Sequence, residues 1–196
     1  MIRFVTLGPD GSNHAWVARR YLALHGVAER AELDLVADFT DGAARLLAGR
    51  ADFMVQCAAH PEVAATVGRH RERLYLVDTF ISPSQPLALL LRRDAAAPRT
   101  LALQPATRDY LDLSGWERLV EEPTVSAVGE GLLSGRHEAG IAFAALVEAH
   151  PAVLRIGQFI GTVDDAWLVF GREPVAHGGL VVWRDGPAGQ RLRAWQ

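Results

Sequence analysis

The chain has 196 residues, 49% of them apolar, and a formal charge of −3, a balance that suits a globular protein with a buried core. It has no basic excess to suggest nucleic acid binding, no apolar run near the ~20 residues of a membrane helix, and one cysteine, Cys57, so internal disulfides and cysteine-rich zinc sites are excluded. All 20 basic residues are arginine, which excludes Schiff-base and lysine-anchored pyridoxal phosphate chemistry, and the seven histidines lack metal-ligand spacing.

From the N-terminus, residues 2–7 read as a buried strand. A glycine- and proline-bearing turn follows, then a helix over 13–25 that Ser12 or Asn13 can cap. Residues 33–39 alternate as a strand, 40–50 read as a short helix capped by Thr40, and 51–56 read as another strand. This βαβαβ run predicts a parallel, helix-covered sheet. Beyond Pro61, strands are predicted at 73–81, 86–93 and 99–105, and a helix over 106–122 starting near Thr107. A helix opens at Thr124 or Ser126, and a strand leads into a helix over 139–150. Strands at 153–160, 165–173 and 179–185 close the chain, with a loop at 173–179. The apolar "GLVVW" near the end is expected to offer an edge strand for a homodimer.

Crossings near 81–86 and 161–165 predict two α/β lobes: residues 1–80 with 163–196, and residues 81–162. Ligands in such folds sit at strand ends and helix N-termini, where free amides and the helix dipole favour anions. The helix starts near Ser12, Thr107 and Thr124 are expected to converge on one. With strand residues beginning at Ile2 and no signal peptide, the expected location is cytoplasmic.

"LGPDGSNHAWVARRYL" resembles the opening of prephenate dehydratases, which read Leu-Gly-Pro-x-Gly-Thr-Phe-Ser and continue as a helix. "LLAGRADFMVQCAAH", "TVSAVGEGLLSGRHEAGIAF" and "VDDAWLVFGRE" resemble three further motifs of that family, in order and in register over residues 3–172. The resemblance implies an α/β, two-lobed type II periplasmic-binding-protein-like fold, as in prephenate dehydratase catalytic domains; the ACT domain that often follows in that family is not expected here, since the chain ends about 25 residues after the last motif. The departures matter as much. The family's Glu-Asn-Ser is here Ala58, Ala59 and His60, its Thr-Arg-Phe reactive triplet is Asp165, Ala166 and Trp167, and its Ser-His-Pro is Leu103, Gln104 and Pro105. The chain also resembles the short prephenate decarboxylases of bacilysin-type pathways over "VDTFISPSQPLALLLRRD", and dehydratase-like proteins accompany tropone and tropolone genes.

The resemblance implies a lyase of specialised metabolism acting on prephenate or a related cyclic unsaturated acid, six- or seven-membered, without a cofactor. Decarboxylation needs a poorly solvated carboxylate and a proton donor, and a cleft lined by Ala58, Ala59, Ala166 and Trp167 would favour it. Asp165 and His60 are the candidate proton donors. Gly11, Ser12, Asn13, His14, Gln56, Cys57, Ser84, Gln85, Gln104, Thr107, Thr124, Ser126 and Trp167 are the candidate substrate-binding residues. His25, His70, His137 and His150 are expected on helix surfaces or ends. A non-catalytic carboxylate-binding module and a degenerate partner subunit are the competing readings.

Overall fold

A computed structural model describes residues 1–194. The first half contains β1 (Ile2–Leu7), α1 (Asn13–Leu24), β2 (Ala31–Val36), α2 (Phe39–Leu47), β3 (Phe53–Cys57), α3 (Val63–His70) and β4 (Tyr75–Pro83). There follow β5 (Leu87–Arg92), β6 (Thr100–Leu103), β7 (Arg118–Glu121), α4 (Val125–Ser134), β8 (Ala139–Phe143), α5 (Ala145–Ala149), β9 (Leu154–Gly161), β10 (Asp164–Gly171) and α6 (Pro187–Arg193). They form two five-stranded sheets, ordered β2-β1-β3-β10-β4 and β7-β6-β8-β5-β9. The chain leaves the first sheet between β4 and β5 and returns between β9 and β10. Parallel pairs follow the βαβ units, while β10 lies antiparallel to β3 and β4 because it arrives from the other sheet.

Each sheet has its own core. Val5, Phe39, Leu46, Met54 and Phe170 pack on one face of the first, and Phe4, Val17, Val55 and Trp167 on the other. In the second, Val128 and Leu132 of α4 pack on Leu90 and Leu154, while Leu101, Leu103 and Ile141 pack with Trp116 on the opposite face. Helix α4 ends at Gly135, whose φ of 79° supplies the left-handed cap that other residues adopt only under strain.

Several expectations are corrected. The cap of α2 is Asp38, whose Oδ1 accepts the Asp41 amide at 2.8 Å, so Thr40 lies inside the helix. Residues 106–122 do not form one helix. A short 3-10 turn spans Pro105–Tyr110, the Ser114 amide bonds the Asp112 carboxylate, and 118–121 become β7 beside β6. Asp, Ser and Gly at 112–115 favour turns over helix interior, and Leu119 and Val120 fit the pleat. Helix α3 was not expected at all. Residues 180–183 join no ladder, and Leu180 and Trp183 are 88% and 73% exposed, so the expected closing edge strand is absent. His137 is buried rather than at a surface, with Nε2 2.6 Å from Glu122 Oε1. No helix among the described residues is long and apolar enough to cross a membrane.

Candidate functional site

The largest constellation of chemically capable side chains lies between the sheets, around a cavity of about 140 Å³. Its first wall comes from the α1 start and from the adjoining ends of β3 and β10, with Asn13, His14, Cys57, His60 and Asp165. Its second comes from the 3-10 turn and the α4 start, with Gln104, Thr107, Tyr110, Thr124, Val125 and Ser126. Leu7, Leu87 and Phe143 supply apolar surface.

Both helix starts are built in the same way. Ser12 Oγ accepts the Ala15 amide at 3.2 Å, and Thr124 Oγ1 accepts the Ala127 amide at 3.0 Å. The helix geometry then leaves the amides of Asn13 and His14, and of Val125 and Ser126, with no intrahelical acceptor. Two positive helix ends from different sheets therefore border one cavity. Ser12 itself is committed, since it also donates to Leu7 O at 3.1 Å. Gln104 is committed too: its Oε1 accepts the Ala106 amide at 2.8 Å, while Thr107 Oγ1 donates to Gln104 O at 2.8 Å.

The loop before α1 is tied to the inter-sheet crossing. The Gln85 amide donates to Asn13 Oδ1 and its Nε2 to Gly11 O, both at 3.0 Å. Ser84 Oγ accepts the Val163 amide at 3.0 Å, joining the two crossing strands. With its oxygen engaged by Gln85, Asn13 keeps its Nδ2 donors for a ligand.

The ionisable groups are all pushed toward neutrality. Burial, with His60 beside it, lowers His14 from 6.5 to about 3, and burial also lowers His60 against the opposing pull of Glu62. His14 Nε2 accepts the Cys57 amide at 3.3 Å and His60 Nδ1 accepts the Glu62 amide at 3.2 Å. Each ring therefore carries its proton on the other nitrogen and acts as a neutral donor. Asp165 is raised by burial and then by Asp164. Burial carries the Cys57 thiol up to about 11, so it is not a thiolate nucleophile at neutral pH. Tyr110 is raised by burial, then by Asp165 and Cys57.

The cavity brings together Ser12, Asn13, His14, Cys57, His60, Ser84, Gln104, Thr107, Thr124, Ser126 and Asp165. It does not bring in four others. Gly11 and Gln85 serve the loop clasp. Gln56 is fully buried, and alternation along β3 turns it to the face opposite Cys57. Trp167 shares a face with Asp165 but lies deeper, fully buried in the core beneath α1, so it does not line the cleft as expected. Of the expected alanine lining only Ala59 is present. Ala58 and Ala166 are exposed, bridged by the Ala58 amide on Ala166 O at 2.8 Å. Tyr110 was missed, because a helix over 106–122 gave no reason to aim it at the cleft.

No protein-family model and no curated relative matches the chain. Solved structures do match. A prephenate dehydratase from Arthrobacter aurescens, in complex with L-Phe, is similar over 89% of this chain at 18% identity and a TM-score of 0.65. This chain spans 61% of the dehydratase's length. An ABC transporter from Parabacteroides distasonis is similar at 16% identity and a TM-score of 0.55, over 87% of this chain and 66% of its own. The periplasmic VFT2 domain of Bordetella pertussis BvgS follows at 14% and 0.53, over 87% and 80%. The class defined is the two-lobed α/β fold shared by type II periplasmic binding proteins and prephenate dehydratase. Of these three structures the dehydratase has the highest TM-score.

Proposed function

We propose that the chain is a lyase of specialised metabolism that removes CO2, with or without a hydroxyl, from prephenate or a related six- or seven-membered unsaturated ring acid. The observation that carries this reading is a half-buried Asp165 of raised pKa in a small cavity bordered by two helix starts. The lobe built on the first sheet, through Pro83 and again from Asp164, closes on the ligand from one side, and the lobe built on the second sheet closes from the other. The amides of Asn13, His14, Val125 and Ser126, with Ser126 Oγ, hold carboxylate oxygens, and His14 and His60 add neutral donors. The C–CO2 bond breaks, and its electron pair shifts through the diene. Asp165 then delivers its proton either to the remote ring carbon or to a departing hydroxyl, and becomes the carboxylate that solvent reprotonates. Loss of the family's threonine and arginine at 165–166 favours the first outcome.

The test is incubation of the purified protein with prephenate and with cyclohepta-2,4,6-triene-1-carboxylate, whose carboxylate also sits on an sp3 ring carbon, following CO2 and ultraviolet spectra together. CO2 with a non-aromatic product supports the reading, while phenylpyruvate marks the dehydrating branch. Tight binding without turnover selects the carboxylate-binding module instead. No CO2, no spectral change and no thermal shift with any ring acid would sink the lyase reading.

A further inference from the structure

The cavity's inventory of charge narrows the substrate. Among the described residues no arginine lines it, and the chain has no lysine. The one carboxylic acid lining it is Asp165, which burial pushes toward its neutral form. His14 and His60 are held neutral by burial, so neither supplies a cation near pH 7. Both helix starts open on the same space of about 140 Å³, close to the volume of an engineered cavity that holds one benzene ring.

A second carboxylate would have two places to go. Within the cavity it would join the first carboxylate with only amides, hydroxyls and neutral imidazoles to repay its desolvation, and helix termini repay that only in part. The alternative is the adjoining cavity of about 370 Å³, reached past His60 and Gln104. That space is lined by Glu62, Glu121 and Glu122. The arginines beside it are already engaged, Arg108 with Glu121 and Arg136 with Glu122, each at 3.0 Å. It repels an anion.

We infer that the cleft is built for a ring acid carrying a single carboxylate, and that it discriminates against dicarboxylates such as prephenate. This rests on the reading of the cleft as a ring-acid site. A cation-free anchor also suits loss of CO2, since an arginine would stabilise the carboxylate whose charge must disappear.

Dissociation constants decide this, measured by calorimetry at pH 7 on the intact chain for cyclohexa-2,5-diene-1-carboxylate, its 1,4-dicarboxylate counterpart and prephenate. The monocarboxylate is expected to bind at least tenfold tighter than either dicarboxylate. Asp165→Asn, its folding checked by circular dichroism, is expected to leave that gap unchanged, because the neutral acid carries no charge to remove and the missing cation sets the discrimination; a collapse of the gap would overturn that account by showing a charged Asp165 repelling the second carboxylate. Equal or tighter binding of the dicarboxylates to the wild-type chain overturns the single-carboxylate inference while leaving the ring-acid reading standing. Binding of none of the three, with no turnover, removes both.

Discussion

The wall of the cleft built on the first sheet holds His14, Cys57, His60 and Asp165, while the wall built on the second offers the Val125 and Ser126 amides, the Ser126 hydroxyl and the Tyr110 phenol. The first wall forms where β3 ends and β10 begins, in antiparallel register with Cys57 opposite Trp167, so ionisable groups gather at one strand end and desolvate one another. The second forms from turn and helix starts, whose side chains cap their own backbones. The proposed proton donors thus sit on the first wall, while free helix-start amides border the cavity from both.

The largest expected effect strikes the first wall. Asp165→Ala should lower turnover about 100-fold, the scale of a lost general acid, with the fold intact. Unchanged kinetics would remove Asp165 from the mechanism. Because the protonated form acts, kcat/KM should fall as pH rises through the raised pKa of Asp165, among the neutral Cys57 and Tyr110 and the neighbouring Asp164.

His14 yields a stability effect peculiar to the same wall. Its folded pKa of about 3 lies below the ordinary 6.5, so between those values the unfolded chain takes up a proton that the folded chain refuses. The stability it contributes is present above about 6.5 and is lost as pH falls toward 3, with a slope of up to about 1.4 kcal/mol per pH unit. His60 adds in the same direction. Urea midpoints at several pH values should show His14→Gln flattening this slope, and identical slopes would show that the imidazole takes no part.

The second wall should respond in affinity and stability rather than in proton transfer. Thr124→Ala removes the α4 cap, costing about 1 kcal/mol, and should weaken ring-acid binding several-fold by loosening the Val125 and Ser126 amides. Thr124→Ser should restore both. A change in the pH profile of turnover would contradict the division between the walls.

Much of this arrangement was legible in the residues. The βαβαβ opening followed from period and turn chemistry, and Thr124 announced α4 by preceding an apolar helical run. Tyr110 was not legible, because its direction is set by the 3-10 turn that Gln104 caps, against a plausible helical pattern over 106–122. Trp167 failed for a different reason. Period-2 alternation places it on the Asp165 face, but two residues along a strand is about 6.6 Å, enough to carry it from the cleft to beneath α1. Depth along a strand depends on what the other lobe covers, and local pattern does not encode that.

Gln56 draws the first wall's inner boundary with the smallest expected effect. It neighbours Cys57 on β3, yet its amide oxygen and nitrogen are buried and have no protein partner. Replacing an unsatisfied buried amide with an apolar group of similar length avoids its desolvation cost without opening a cavity. Gln56→Met should therefore raise stability by about 0.5–1 kcal/mol, a rise of ~1–4 °C in Tm for a chain of this size, and leave ring-acid affinity unchanged. Calorimetry on the variant reads both quantities. A loss of affinity would mean that Gln56 reaches the ligand through the sheet, and the wall would then be two residues thick rather than one.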